Sequence, residues 1–148
     1  MNNLAGTLRE QGELVAARTL EEQALAARRR VLGEEHPDTL STMNNLAGTL
    51  REQGELAAAR TLEEQALAAR RRVLGEEHPD TLSTMSDLAD MLWRCDERAK
   101  AVELMTRTVA LSAAKLGGDH STTRERRDSL ARMHATFGAS PAHSGNPP

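Results

Sequence analysis

Residues 43–84 read MNNLAGTLREQGELAAARTLEEQALAARRRVLGEEHPDTLST, and this stretch decides the fold. Residues 1–42 carry the same sequence at 41 of 42 positions, with Val15 in place of Ala57. Residues 85–126 keep 13 of the 42 positions, and most of the retained residues are small or apolar. Because a repeat of this length is typical of stacked structural units, the chain is expected to be an array of such units.

Within one copy, apolar residues recur at spacings of three and four, which is the period of an amphipathic helix. One apolar stripe runs from Leu40 to Leu50 and a second from Leu56 to Leu74. Gly54 lies between them, where the chain must turn, and Pro79 cannot continue the second helix. Asp80 is expected to cap the next helix. Each unit is therefore predicted to be a helix, a short turn, a second helix and a loop.

The pattern predicts seven helices. Their ranges are 1–11, 14–32, 38–53, 56–74, 80–95, 97–116 and 121–135. Residues 1–137 are predicted to form one array, with copies 1–42, 43–84 and 85–126 and a C-terminal capping helix at about 121–135. In this capping helix Leu130, Ala131 and Met133 are expected to face inward. By composition, residues 138–148 are predicted to be a disordered tail.

Composition excludes several kinds of protein. The chain of 148 residues has a net charge of −3 from 22 acidic and 19 basic residues, which argues against nucleic acid binding. No apolar run is long enough to cross a membrane, and the start resembles no signal peptide. The single cysteine, Cys95, fits a reducing compartment, so a cytosolic location is expected. The abundance of Arg and Ala indicates a GC-rich, bacterial genome.

The run Leu46-Ala47-x-x-Leu50-x-x-x-Gly54-x-Leu56-x-x-Ala59, followed by Ala66-Leu67, resembles the tetratricopeptide-repeat signature. The period, the Asn44-Asn45-Leu46-Ala47 opening and the Leu74-Gly75-x-x-His78-Pro79-Asp80 loop are similar to the kinesin-light-chain subtype, which is also widespread in bacterial multidomain proteins. The resemblance covers roughly residues 1–126. It implies an all-α, right-handed superhelical solenoid of antiparallel helix pairs. HEAT-like helical repeats have a similar period but lack this Gly/Ala spacing.

The sequence departs from the family pattern in two places. Glu21 and Glu63 occupy a second-helix position where the family usually has a large apolar or aromatic residue. Met1 aligns with Met43, so the first helix lacks the turn that residues 38–42 supply in the second copy.

The resemblance also implies a function, in which the first helix of each pair lines a concave groove that holds a peptide or partner protein. The Asn of each copy would then hydrogen-bond the peptide backbone, since its amide both donates and accepts. The candidate binding residues are Asn3, Gly6, Glu10, Ser41, Asn45, Gly48, Glu52, Asp87, Asp90, Trp93 and Arg94. Gly6 and Gly48 are expected to let a ligand approach closely, and the acidic members favour neutral-to-basic ligands. The alternative is a solvated helix face without a ligand.

Three further features have competing interpretations. Trp93 could anchor a ligand, but a role in covering the seam with the next helix pair is favoured. The runs 28–30 and 70–72 are all arginine, yet three consecutive helical residues point in different directions and glutamates lie nearby, so no basic stripe is expected. His36-Pro37-Asp38 and its copy at 78–80 match the tripeptide of chaperone J-domains. A turn-making role is favoured because the tripeptide recurs with the repeat.

No nucleophile–base pair, phosphate loop or metal-ligand spacing is present, so an enzyme, a cofactor and a metal site are not expected. The leading hypothesis is a protein-binding module. The alternative is a structural spacer or self-association element of a larger bacterial multidomain assembly. Residues 1–32 resemble an interior repeat without a polar cap. Either the protein continues upstream or this end pairs with another molecule, and a homo-oligomer through residues 1–32 is the expectation.

Overall fold

The computed structural model describes residues 2–138, with Asn2 described by its backbone alone, and this part consists of seven helices without a strand. The helices are α1 (Asn2–Glu10), α2 (Leu14–Leu32), α3 (Pro37–Glu52), α4 (Leu56–Leu74), α5 (Pro79–Arg94), α6 (Arg98–Leu116) and α7 (Ser121–Gly138). Each predicted helix is found, and the largest difference is α7, which continues to Gly138 rather than ending at 135. The predicted tail beyond Gly138 lies outside the described residues.

Consecutive helices form the main contacts, so the three helix pairs and α7 stack in chain order. Three-residue turns join the two helices of each pair and reverse the chain direction. Gly12 and Gly54 occupy these turns with φ of 80° and 82°, a backbone conformation that suits glycine. Asp96 takes the same place in the third pair at φ 63°, which aspartate tolerates better than most residues. The predicted all-α array of antiparallel helix pairs is therefore observed.

Small side chains allow the helices of the array to pack closely. Ala17, Ala59 and Ala101 occupy the same position in α2, α4 and α6, and all three are fully buried. Leucine and methionine fill the remaining space in three core clusters that follow one another along the array. The core is thus continuous from pair to pair, which explains how a chain with one Trp and one Phe buries enough surface.

The loops between pairs use histidine as the helix cap, and the prediction that Asp80 caps α5 is wrong. His36 and His78 are the N-cap residues of α3 and α5, and each Nδ1 accepts a hydrogen bond from the backbone N–H two residues on, at 3.2 and 3.1 Å. The following proline is the first helical residue, where a missing N–H costs nothing. His120 makes the same bond at 3.3 Å before α7, which explains why this histidine survives in the third copy without Pro and Asp.

A polar side-chain pair joins each helix pair to the next element of the array. Arg28 and Arg70 donate to the Thr42 and Thr84 hydroxyls, fourteen residues downstream. In the third copy the hydroxyl and the guanidinium have changed places, since Ser112 stands in the arginine position and Arg126 in the threonine position. The Arg126 guanidinium donates to the Ser112 hydroxyl at 2.6 Å. The contact is therefore kept although both residues have changed.

The arginine runs point in different directions, as predicted. In the second run, Arg70 points inward to Thr84, while the neighbouring Arg71 guanidinium lies 3.2 Å from the Glu76 carboxylate and Arg72 pairs with Glu35 of the previous repeat.

The capping helix α7 differs from the prediction at Ala131, which is exposed. Met133 is buried and Leu130 is half-buried. Residues two apart on a helix point about 200° apart, so Ala131 lies on the side opposite Met133. The inner face of α7 also includes Thr123 and Arg126, so it is more polar than the sequence pattern indicated.

Candidate functional site

The first helices of the pairs present a polar surface that we call the groove face. It consists of Asn3, Gly6 and Glu10 on α1, Ser41, Asn45 and Glu52 on α3, and Ser83, Asp87, Asp90 and Arg94 on α5. Asn3, Glu10, Ser41, Glu52 and Arg94 are exposed, and Gly6, Asn45, Asp87 and Asp90 are half-buried. The face results from the helical period, because the opposite side of α3 and of α5 is buried in the core.

Side-chain contacts connect consecutive first helices. The Arg9 guanidinium lies 3.5 Å from the Glu52 carboxylate and so connects α1 to α3. The Asn44 amide donates to the Thr84 hydroxyl at 3.2 Å and connects α3 to α5. Neither Arg9 nor Asn44 was among the predicted binding residues, because their role depends on a neighbour about 40 residues away in sequence.

Gly48 is buried, so the prediction that it lets a ligand approach closely is wrong. A side-chain carbon at this position would lie 3.2 Å from a terminal nitrogen of the Arg9 guanidinium, which covers the glycine from the previous repeat. Sequence spacing placed Gly48 on the polar side of α3 but could not show that a long side chain from α1 reaches across it. The glycine makes room for Arg9 rather than for a ligand.

A cleft of about 250 Å³ lies between α5 and α7, and we call it the α5/α7 cleft. Its walls are Ser83, Ser86, Asp87, Asp90, Met105, Thr122, Glu125, Arg126 and Ser129. The Arg126 guanidinium donates to the hydroxyls of Ser86 at 2.9 Å and Ser83 at 3.4 Å, as well as to Ser112. The structure thus places two predicted residues, Asp87 and Asp90, in a concave polar site.

Glu63 on α4 is not among the walls of the cleft, but the charges of Asp87 and Asp90 act on it, and it was not among the predicted site residues. Its side chain is 2% exposed, and its carboxylate lies 3.9 Å from the Arg51 guanidinium. The pKa of Glu63 is raised to about 7, mainly by burial and also by the negative charges of Asp87 and Asp90, while Arg51 opposes the shift. The sequence showed an unusual residue at this position, but it could not show which carboxylates would lie beside it.

Burial also raises the pKa values of the Asp87 and Asp90 carboxyls above their usual range. Arg51 lowers both, and Arg70 and Arg126 lower that of Asp87. Each carboxylate is therefore less stable as an anion here than in water, even with arginines nearby.

Glu21, the equivalent of Glu63 in the first copy, has a milder environment. It is 4% exposed, and burial raises its pKa, but the nearby Thr49 hydroxyl and the charge of Arg9 lower it. Its Oε2 atom has no hydrogen-bond partner among the described residues, as in Glu63. The residue equivalent to Thr49 is Met91 in the third copy, so Glu63 has no hydroxyl there. The carboxyls of Asp87 and Asp90 also replace Asn45 and Gly48, which are uncharged.

Trp93 packs against two core clusters, one around Leu88 and the other around Met133 of α7. It is half-buried, and the Arg98 guanidinium lies 5.3 Å from the centre of its ring. This position supports the favoured interpretation that Trp93 covers the seam between the third pair and α7. The ligand-anchor alternative remains a hypothesis.

Comparisons with models of known protein families identify the family of this chain. Two family models, both described as tetratricopeptide repeat, match residues 1–72 and 81–122. The chain belongs to the tetratricopeptide-repeat family. Tetratricopeptide repeats generally mediate protein–protein interactions, and proteins of this family and their kinesin-light-chain-like neighbours are generally non-catalytic scaffolds. No curated protein sequence matches the chain.

Solved tetratricopeptide-repeat structures agree with this assignment. The nearly identical TPR-like repeats of a candidate kinesin light chain from Podosopora anserina superpose with a TM-score of 0.86, at 30% identity over 93% of this chain. A second structure of that protein, carrying one substitution, gives the same values. BtubC (BKLC) from P. vanneervenii superposes with a TM-score of 0.71 over 99% of this chain, and its 19% identity shows the fold alone. This chain spans 65% of the length of each of these three proteins.

Within residues 2–138, no helix of this tetratricopeptide-repeat protein is long and apolar enough to cross a membrane. In the same part of the chain, no group of three or more His, Cys, Asp or Glu side chains could hold a metal ion.

Proposed function

We propose that this tetratricopeptide-repeat protein holds an extended peptide segment of a partner protein along its groove face. The observation that carries the proposal is that Asn45, Asp87 and Asp90 make no side-chain hydrogen bond or close ion pair with another described residue. Their donors and acceptors are therefore available to a ligand. The amide of Asn45 can both donate to and accept from a peptide unit, which would give affinity without demanding one sequence.

Several charged residues of the second helices pair with residues of the next repeat. The Arg18 guanidinium on α2 lies 2.7 Å from the Glu55 carboxylate at the start of α4, and Arg60 on α4 pairs in the same way with Glu97. Arg107 on α6 lies 2.6 Å from Glu76. Ion pairs thus connect successive repeats through the second helices, whereas Asn45, Asp87 and Asp90 on the groove face have no such partner. We propose in addition that the protein is non-catalytic and acts in the cytosol, where Cys95 would remain reduced.

A displayed peptide library would identify a ligand, and Asn45→Ala then tests where the ligand binds. The substitution removes one net hydrogen bond, so we expect affinity to fall by about 1 kcal/mol, roughly fivefold. The melting temperature should stay nearly constant because Asn45 has no internal side-chain partner to lose. Calorimetric titration at one salt concentration measures the first quantity and thermal unfolding the second.

Gln65→Ala is the matched control, since Gln65 is an exposed amide on α4 of the same copy, outside the groove face. It should change neither affinity nor stability. Equal affinities for wild type, Asn45→Ala and Gln65→Ala, with binding retained in all three, would place the peptide elsewhere and overturn the proposal.

A second candidate function, self-association through the first helix pair, is supported by one observation. Leu4 on α1 is 56% exposed, whereas Leu46 occupies the same position of the same sequence on α3 and is 5% exposed. Leu46 is covered because α2 packs against α3. We propose that a second copy of the chain covers Leu4 in a two-fold pair, which would bury both apolar surfaces at once.

A further inference from the structure

The loops before α3, α5 and α7 each place a histidine at the start of the following helix. The Nδ1 atoms of His36, His78 and His120 accept the backbone N–H two residues on, at 3.2, 3.1 and 3.3 Å. The backbone oxygen of His120 also accepts the N–H of Arg124 at 3.0 Å, which makes His120 the N-cap of α7. A ring nitrogen accepts a hydrogen bond only while it carries no proton, since both nitrogens of a charged imidazole are donors. Each of these caps therefore requires a neutral histidine.

The loop before α7 lacks the acid that accompanies histidine in the other two loops. The carboxylate two residues on lies 4.0 Å from the histidine Nδ1 atom in those loops, at Asp38 and at Asp80. If the histidine there gains a proton, an ion pair replaces the lost cap. Thr122 occupies the equivalent position before α7. Within residues 2–138, no Asp or Glu carboxylate lies within 4.0 Å of the His120 ring nitrogens, so His120 has no such replacement.

The charges at the start of α7 also oppose a proton on His120. The N-terminus of a helix carries a partial positive charge, which an acidic residue in the first turn offsets. Both α3 and α5 have an aspartate in the first turn, whereas α7 has no acidic residue there. Asp119, just before His120, has an acidic counterpart in the other two loops and so does not compensate for the missing aspartate. The other charged residues of the adjoining segments are Lys115 at the end of α6 and Arg124, Glu125, Arg126 and Arg127 on α7.

Fewer neighbours hold α7 than hold the other capped helices. Its main contacts are with α6, whereas α3 and α5 each lie between two helices that pack against them. Its buried residues include the polar Thr123 and Arg126 beside Met133, and the Thr123 hydroxyl has no hydrogen-bond partner in the described part of the chain. Elements with few buried apolar contacts open more readily than the rest of a protein. Loss of a cap should therefore act on α7 before it acts on α3 or α5.

We propose that a proton on His120 loosens α7 from α6, so that this end of the array opens in acid while the helix pairs stay stacked. Imidazole is the side chain whose charge ordinarily changes between about pH 8 and 5. The Arg126 guanidinium would then leave the Ser83 and Ser86 hydroxyls of α5, to which it donates at 3.4 and 2.9 Å. Acid would thereby change the α5 end of the groove face. The proposed peptide binding does not depend on this opening.

Hydrogen exchange of the backbone amides, resolved by nuclear magnetic resonance on the whole chain at pH 5.5 and 7.5, measures the opening of each helix. After correction for intrinsic exchange rates, the opening equilibrium of α7 should be about fivefold larger at pH 5.5, the usual effect of losing one N-cap. The opening of α3 should change much less, because Asp38 stands beside its histidine. Equal opening of α7 at the two pH values would overturn the inference.

His120→Asn isolates the histidine, because asparagine caps helices well and takes up no proton in this range. This variant should fold and should lose the pH dependence of α7. Thr122→Asp gives the loop before α7 the aspartate of the other two loops, so it should reduce the pH dependence. His134→Asn, at an exposed position within α7, is the control and should behave as the wild type does.

The same variants separate the histidine from the acids of α5 that face α7. The Arg126 guanidinium on α7 attracts the Asp87 carboxylate on α5, and Arg132 attracts Asp90 in the same way. Burial raises the pKa values of both carboxyls, so their protonation in weak acid would also loosen α7. Both acids are unchanged in His120→Asn. A pH dependence of α7 in this variant as large as in the wild type would assign the effect to the acids and contradict the proposal.

Discussion

At the scale of single residues, the most informative position is Glu63, where a charged residue stands at a site that packs like the core. The third copy carries Met105 at the same position, and Met105 is fully buried. A methionine would therefore suit the packing of α4, whereas the glutamate leaves one oxygen without a partner. We infer that Glu63 lowers the stability of the free protein.

Replacement of Glu63 by Met tests this destabilisation, because the free energy of unfolding of the wild type should depend on pH through the Glu63 carboxyl. The pKa of Glu63 is raised from an ordinary value near 4.5 to about 7 in the folded protein. The unfolded chain therefore loses this proton at lower pH than the folded one, and the stability of the wild type falls as the pH rises from about 4.5 to 7. This shift corresponds to about 3 kcal/mol in the free energy of unfolding. We expect Glu63→Met to be more stable than wild type, with an advantage larger at pH 8 than at pH 5.

Urea unfolding at the two pH values measures the difference. Glu103→Met is the control, since Glu103 is exposed on α6 and has no partner among the described residues. An advantage of Glu63→Met that is the same at pH 5 and pH 8 would show that the carboxyl ionises normally in the folded state.

At the scale of helices, the boundaries follow from short local signals. The glycine turns gave the starts of α2 and α4, and the proline positions gave those of α3 and α5, to within one residue, because each acts on the chain beside it. The role of histidine was not predictable in the same way. Aspartate is the more usual cap, and only the geometry shows that the Nδ1 atoms of His36 and His78 accept the N–H of the aspartate itself.

His78→Ala tests the capping role. The substitution leaves the backbone N–H of Asp80 without its acceptor, so we expect the free energy of unfolding to fall by about 1 kcal/mol. His78→Ser should retain most of the stability, because a serine hydroxyl can cap a helix. The control is His134→Ala, at an exposed position within α7, which should have little effect. Equal stability losses at His78 and His134 in urea unfolding would contradict the assignment.

The groove face could be predicted from sequence only in part. The helical period was enough to place Asn45, Asp87 and Asp90 on one side of their helices, since this depends on local spacing. The period could not reveal the Arg9 side chain over Gly48 or the effect of the Asp87 charge on the buried Glu63, because these interactions join different repeats. The change from Arg70 and Thr84 to Ser112 and Arg126 at the equivalent positions of the third copy likewise becomes understandable only when the pair is seen in contact.

At the scale of the whole molecule, the first helix pair (α1 and α2) and the second (α3 and α4) have nearly the same sequence, but Leu4 on α1 is exposed whereas Leu46 on α3 is buried. If a second copy covers Leu4, sedimentation of the protein should show a dimer, and Leu4→Glu should convert it to a monomer. Leu4 is a cleaner target than the half-buried Leu8, because a charge at an exposed site does not disturb the core.

The control for this experiment is Val15→Glu. Val15 is exposed, and so is its counterpart Ala57 within the array, so this position lies outside the surface on which repeats stack. Val15→Glu should leave the dimer intact. A wild-type protein that sediments as a monomer at tens of micromolar would exclude self-association, and equal dissociation by both substitutions would place the contact elsewhere.

The central claim is that the first helices, and not the second ones, hold the partner. The most direct test is a nuclear magnetic resonance titration of the protein with a library-selected peptide, following the backbone amides and the side-chain amide of Asn45. We predict the largest shifts on the groove face of α1, α3 and α5, including the Asn45 amide, with small shifts along α2, α4 and α6. Large shifts confined to α2, α4 and α6, with the Asn45 amide unmoved in the saturated complex, would contradict the account.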